Sequence, residues 1–237
     1  MKIAIIGTAG RGADALKMGS ELFSKMVLVT KQIIENDLKQ DSKSVDLISG
    51  GLDFFFFLLF CFLFFFRFLP RTQICPLLPP SPPPSGAAWS DHVAVELWIQ
   101  GKRKKPSFCS LTLYAPAPFI FHKSRPRFLV KQQQHSMENP GKSANNYHLQ
   151  FSRKIGRSSH QEIQLAVELG AKIEVGNGFQ ARNSMIANNA DAIIAFTWGK
   201  SFPPEGGTRD TWNKHRGKNK IHVSLQALSK EKVDDKD

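Results

Sequence analysis

Residues 187–212 read ANNADAIIAFTWGKSFPPEGGTRDTW, and the fold turns on them. Ala192 to Thr197 is a short apolar run bounded by Asp191 and a Gly-containing loop, the pattern of a strand buried on both faces. Trp198 to Gly207 is a loop. Thr208 to Trp212 opens a helix, with Thr208 placed to cap it and Asp210 to complement its dipole. Phe179 to Asn188 forms a short helix upstream.

The same alternation extends outward. Lys2–Gly7 (KIAIIG) reads as a buried strand, followed by the Gly-containing loop Thr8 to Gly12. Ser20 to Leu38 carries apolar residues at helical spacing, with Ser20 as the expected cap. Val45 to Ser49 is a second strand that ends at Gly50-Gly51. Ser90 to Gln100 is helical and Gly101 is the expected stop. Ser110 to Tyr114 is a third strand. Ser159 to Leu169 is a helix with a capping-box pattern of Ser159 and Glu162. Ala171 to Val175 and Lys220 to Leu225 are further strands. Residues 115–157, with Pro116, Pro118, Pro126 and three consecutive Gln, read as an irregular excursion. Residues 226–237 read as a disordered, charged tail.

Strands that alternate with helices give the α/β class: a Rossmann-like, mostly parallel sheet with helices on both faces. Ligands in such sheets sit beyond the carboxyl ends of the strands. The turns bearing Gly7, Gly50-Gly51 and Gly206-Gly207 fall on that edge. Their N–H groups and the helix N-termini beside them suit a phosphate.

The chain has 237 residues, room for one such domain with additions. Lys and Arg number 32 against 20 Asp and Glu, and the net charge of +12 favours anionic partners. Three cysteines exclude a disulfide framework, and with no leader after Met1-Lys2 the expected setting is cytoplasmic. No CxxC or HExxH spacing occurs, so neither a metal site nor a cofactor is expected. Gly141-Lys142-Ser143 lacks the earlier glycine of a phosphate-binding P-loop, since Ser136 stands there.

One stretch breaks the pattern. Residues 52–86 begin LDFFFFLLFCFLFFFRFLPRTQICPLLPPSPPPS, and ten of the nineteen Phe lie between Phe54 and Phe68. The uncharged run is shorter than the ~20 residues that span a bilayer, so a membrane association is expected only if residues 52–69 form a genuine segment. Phe, Leu, Ser and Pro share pyrimidine-rich codons, so a T-rich then C-rich tract, as precedes a splice acceptor, would encode this run. Joining Gly51 to Ala87 restores Ser49-Gly50-Gly51-Ala87-Ala88-Trp89-Ser90-Asp91, a Gly turn from strand to helix. The domain is therefore expected to comprise residues 1–51 and 87–225, with 52–86 as an insertion outside the fold.

The order of motifs resembles the SLOG superfamily, named for the DNA-processing (SMF/DprA) proteins and the lonely-guy (LOG) enzymes. Ser49-Gly50-Gly51-Ala87 through Asp91 is similar to the family's SGGAxGxD turn, with Trp89 where that motif has Gly. Arg182-Asn183-Ser184-Met185-Ile186-Ala187 resembles the RNRxIA motif of the DNA-processing branch. Gly206-Gly207-Thr208 resembles the GGxGT loop of the LOG branch, although Asp210 stands two residues after Thr208 where that branch has Glu three residues on.

The resemblance implies a nucleotide or nucleotide-derived ligand. Gly50, Gly51, Gly206, Gly207 and Thr208 would line its phosphate, with Arg182 and Asn183 beside them; Gly7 and Thr8, in the glycine loop after the first strand, are candidates for the same role, with a plain tight turn as the alternative. Arg182 would pair with phosphate charge, and Asp91 would fix the Gly turn. An enzyme alternative is hydrolysis of the N-glycosidic bond of a nucleoside monophosphate, with Asp210 or Glu205 as the catalytic carboxylate. A second alternative is binding of single-stranded nucleic acid by the dispersed basic residues. Members of the superfamily often assemble, so a homo-oligomer is also compatible with the resemblance.

Overall fold

The computed structural model describes residues 1–7, 16–50, 87–104, 108–130, 139–202 and 206–231. Six parallel strands form the sheet: β1 (Lys2–Gly7), β2 (Asp46–Ser49), β3 (Ser110–Ala115), β6 (Lys172–Val175), β7 (Ala192–Thr197) and β8 (Asn219–Ser224). The strands β4 (Phe119–Ile120) and β5 (Arg127–Phe128) pair antiparallel as a separate ribbon. The order across the main sheet is β6-β3-β2-β1-β7-β8. Ile5 pairs with Ser49 on one side and Ile194 on the other.

The apolar runs become central strands because both of their faces are covered. Ile3 through Ile6 and Ile193 through Phe196 are wholly buried. Ile3, Ile5, Leu47, Leu111, Ile194 and Phe196 face the larger core. Ala4, Ile6, Ile48, Tyr114, Ile193 and Ala195 face the smaller one. Helices α1 (Ser20–Gln32), α2 (Ala87–Lys104), α3 (Pro140–Ile155) and α4 (Ser159–Glu168) cover the larger face. A π-helical turn, Ile33–Asp37, continues α1. Helices α5 (Gly178–Asn189) and α6 (Gly207–Lys214) cover the smaller face. A final turn, α7 (Leu225–Leu228), returns to the larger core.

This arrangement follows from right-handed crossovers. The chain steps outward from β1 to β2, β3 and β6 with its helices on one face. It then returns to β7 on the far side of β1 and continues to β8 with its helices on the other. The direction reverses between β1 and β7, which makes their carboxyl ends the switch point of a doubly wound, Rossmann-like sheet.

Several local expectations change. Residues 115–157 are not irregular throughout: they hold the β4–β5 ribbon and the sixteen-residue helix α3. Asn139 caps α3 by accepting from the Lys142 N–H (3.1 Å), Pro140 occupies its first turn, and Gly156 at φ 75° ends it. The Gly-Lys-Ser triplet is therefore the first turn of a helix. Gly101 does not stop α2, which continues to Lys104 with Lys102 stacked over Trp98 at 4.1 Å. Helix α1 is capped by Gly19, with Ser20 as its first helical residue. Ser158 rather than Ser159 caps α4, accepting from the Gln161 N–H at 3.4 Å. The one-residue shift frees Glu162 from a capping box. Residues 226–228 belong to α7, whose Leu228 is buried, whereas the tail from 232 lies outside the described residues. The 52–86 insertion also lies outside them.

Candidate functional site at the carboxyl edge of the sheet

Helix starts and strand ends meet at this edge through specific hydrogen bonds. Gly7 ends β1, and a Cβ there would collide with the Phe196 carbonyl of β7. Ser90, in the first turn of α2, donates its hydroxyl to the Gly7 carbonyl at 3.1 Å. Ser49, the last residue of β2, donates to the Asp91 carbonyl at 2.9 Å. Gly50 follows at φ 154°, where a Cβ would lie 2.5 Å from Ile186 and 3.0 Å from the Arg182 guanidinium. Gly206 at φ 102° caps α6, so Gly207 and Thr208 begin that helix beyond β7. Thr208 is its second residue rather than its cap. Thr8, Gly51 and Glu205 fall outside the described residues.

Arg182 occupies a different position from a surface phosphate clamp. Its residue is 1% exposed, the largest fully buried side chain among the described residues. Nε donates to the Tyr114 carbonyl at 2.6 Å, and Nη2 donates to Asp91 Oδ2 at 2.7 Å. One guanidinium thus ties α5 to the end of β3 and the start of α2, against the Gly50 turn. Removing either partner of such a buried pair costs about 3–5 kcal/mol, because the remaining charge is left uncompensated.

Asn183 and Asp210 come together where α5 packs on α6. Asn183 Nδ2 donates to Asp210 Oδ2 at 3.3 Å, and Lys214 Nζ donates to the same oxygen at 2.8 Å. The Asp210 side chain is 37% exposed, so its carboxylate is oriented yet reachable. Thr208 is buried, as is Asn183, whose Oδ1 has no hydrogen-bond partner among the described residues. Sequence reasoning missed one cation on this edge: Lys17 lies before α1, its Nζ 5.3 Å from the Trp198 ring just after β7. No periodicity marked Lys17, which sits in the turn before α1.

A second feature was also missed. Three histidines from different helices form a cluster: His92 on α2 and His148 on α3 are buried, and His160 on α4 is half-buried. Their ring centroids lie 6.3 Å (His92–His148) and 5.3 Å (His148–His160) apart. His92 Nε2 bonds Glu162, which also receives Arg157 Nε at 3.2 Å. His160 Nε2 bonds Asn145 Oδ1 at 3.1 Å. The Nδ1 atoms of His92 and His148 have no hydrogen-bond partner among the described residues. Both rings line a cavity of about 30 Å³ at the ends of β2 and β3, beside Asp91 and Arg182. That is room for about two water molecules.

Burial holds the His148 imidazole well below its ordinary pKa, reinforced by His160, His92 and Arg182. Burial first, and His92 second, bring His160 down to about 4. Burial raises the Glu162 carboxyl, but the hydrogen bond and charge of His92, with Arg157 and Arg103, outweigh it and leave the value lowered. Among the described residues, no group of three or more His, Cys, Asp or Glu side chains could hold a metal ion. Nor is any described helix long and apolar enough to cross a membrane.

The fold and this edge define a doubly wound, Rossmann-like α/β protein with its glycine turns at the switch point. Compared with known proteins, the chain is similar to the uncharacterised protein R261 of Acanthamoeba polyphaga mimivirus, at 29% identity over 227 residues, 95% of this chain and 96% of that protein. No family model and no solved structure matches it.

Proposed function

We propose that the protein binds a nucleotide or nucleotide-derived ligand through its phosphate, at the carboxyl edge between β1 and β7. The observation that carries this reading is the start of α6. Gly206, Gly207 and Thr208 open the eight-residue helix that follows the strand at the switch point in the chain. Four N–H groups at a helix start lack intrahelical acceptors, and the helix dipole adds partial positive charge. The resemblance of this loop and of the Gly50-Gly51 turn to SLOG motifs points to the same ligand class, and the net charge of +12 is compatible with an anion. In this reading Arg182 acts indirectly, by holding the Gly50 turn and α2 in place.

The hydrolytic alternative rests on Asp210. A carboxylate held by Asn183 and Lys214 and still 37% exposed could stabilise an oxocarbenium-like sugar during N-glycosidic cleavage.

Thermal shift against nucleoside monophosphates, NAD, ADP-ribose and short single-stranded DNA tests both readings. A ligand at about 100 times its Kd should stabilise the fold by about 2.7 kcal/mol. Gly206→Ala, at φ 102° where only glycine sits without strain, should distort the start of α6 and weaken a phosphate ligand. Free base released from a monophosphate, and lost in Asp210→Asn, would establish the hydrolase. A shift with DNA alone would move the assignment to nucleic acid.

A further inference from the structure

We propose that the histidine cluster is a proton-operated latch that docks the β4–β5 ribbon and the first half of α3 over the cavity at the ends of β2 and β3. The inference is independent of the ligand assigned to the carboxyl edge.

The latch has a clear geometry. Phe128 of the ribbon packs against both His148 and His160, with ring centroids 5.4 and 5.9 Å away. Phe119, also on the ribbon, stacks on His160 at 6.3 Å and an interplanar angle of 20°. Asn145 of α3 fastens the same ribbon by accepting from the Phe128 N–H (2.8 Å) and donating to its carbonyl (2.9 Å), while its Oδ1 also meets His160. His148 is 4% exposed and faces the cavity. The ribbon and the start of α3 therefore rest on two imidazoles and the residues around them.

The charges facing the cluster make it sensitive to protons. From α2 come His92, Asp91 and Arg103, from α4 Glu162, from the turn before α4 Arg157, and from α5 Arg182. Glu162 is committed to His92 and Arg157, and Asp91 to Arg182. No carboxylate among the described residues bonds His148 or His160. A proton on His148 would be a buried cation with the His160 imidazole 5.3 Å away and Arg182 lining the same cavity, and a proton on the half-buried His160 would face the His148 ring at that distance. Such a cation is relieved by moving into water. The core side of α3 is held by Phe151, which packs against His92 at 4.5 Å and edge-on against Trp89 at 4.8 Å and Phe23 at 5.2 Å. Opening is thus confined to the ribbon and the first turns of α3, which uncovers the cavity without unfolding the sheet.

Hydrogen exchange of the full chain, compared at about pH 7.5 and about pH 5 after correction for intrinsic rates, tests the latch. The expected result is a tenfold or greater loss of protection in 119–128 and 140–148 at the lower pH, with β1 and β7 unchanged. His148→Phe and His160→Phe fill the sites with rings that carry no proton. Each should reduce the pH response, and His160→Phe, at the less buried position, serves if His148→Phe does not fold. Protection that is insensitive to pH, an equal response in a folded Phe variant, or simultaneous loss across the sheet would each overturn the proposal.

Discussion

Arg182 looked in sequence like a residue for phosphate: an Arg in a motif, near a helix start, on the ligand edge. Its environment gives it another task. Guanidinium geometry matches one carboxylate oxygen and one carbonyl, and both are present within 2.7 Å. Arg182→Met should therefore destabilise the protein by about 3–5 kcal/mol in urea unfolding, as should Asp91→Leu alone. The double variant should recover most of that loss, because a buried pair replaced by apolar groups leaves no uncompensated charge. If the single variants melt like the parent, the buried pair is not holding the edge. Nothing in the sequence distinguished a buried Arg from an exposed one, since its partner Asp91 stands far away along the chain. Asn183 and Asp210 were legible as individual polar residues. Their contact was not, because it depends on how α5 settles on α6.

At the level of elements, strands read more clearly than helix ends. The buried strands announced themselves as short runs of Ile, Ala and Phe, and Ala192–Thr197 has the expected limits. Helix limits shifted by one or more residues because capping is decided by backbone geometry that neighbouring Ser and Gly can each satisfy. Helix α3 was hidden because its apolar face is built from Ala144, Tyr147, His148 and Phe151. Two of these positions are polar or amphipathic, so few strongly apolar residues mark a face that the helix nonetheless keeps separate from its polar side. Phe151 is wholly buried among Phe23, Trp89 and His92, and Phe151→Ala should cost about 3–5 kcal/mol of stability by denaturant titration. A second expectation concerns the junction of β2 with α2. The hydroxyl of Ser49 already reaches the Asp91 carbonyl, so a turn of a few residues closes the gap. A chain with Gly51 joined directly to Ala87 should melt cooperatively at or above the temperature of the full chain. A deletion that abolishes the cooperative melt would show that residues 52–86 take part in folding.

For the whole molecule, the acid side of the stability curve follows from the clustered histidines. The folded-state pKa values of His148 and His160 lie below the ordinary 6.5, so their contribution is complete above that pH. It is lost progressively as the pH falls from 6.5 toward about 4, the folded value of His160. Glu162, also lowered, adds stability above its ordinary 4.5 that is lost as the pH drops through its folded value. Urea midpoints should therefore decline below 6.5, and the decline should shrink in His160→Phe. A flat profile down to about pH 4 would contradict this assignment.

The central claim, a phosphate-bearing ligand at the switch point, is tested most directly by a hydrogen-exchange footprint of the full chain with and without saturating AMP or ADP-ribose. Slowed exchange is expected at Gly207 to Thr211, at the start of α6, with smaller effects at Gly7 and Gly50. Slowed exchange confined to other elements, or none with either nucleotide at millimolar concentration, would contradict it.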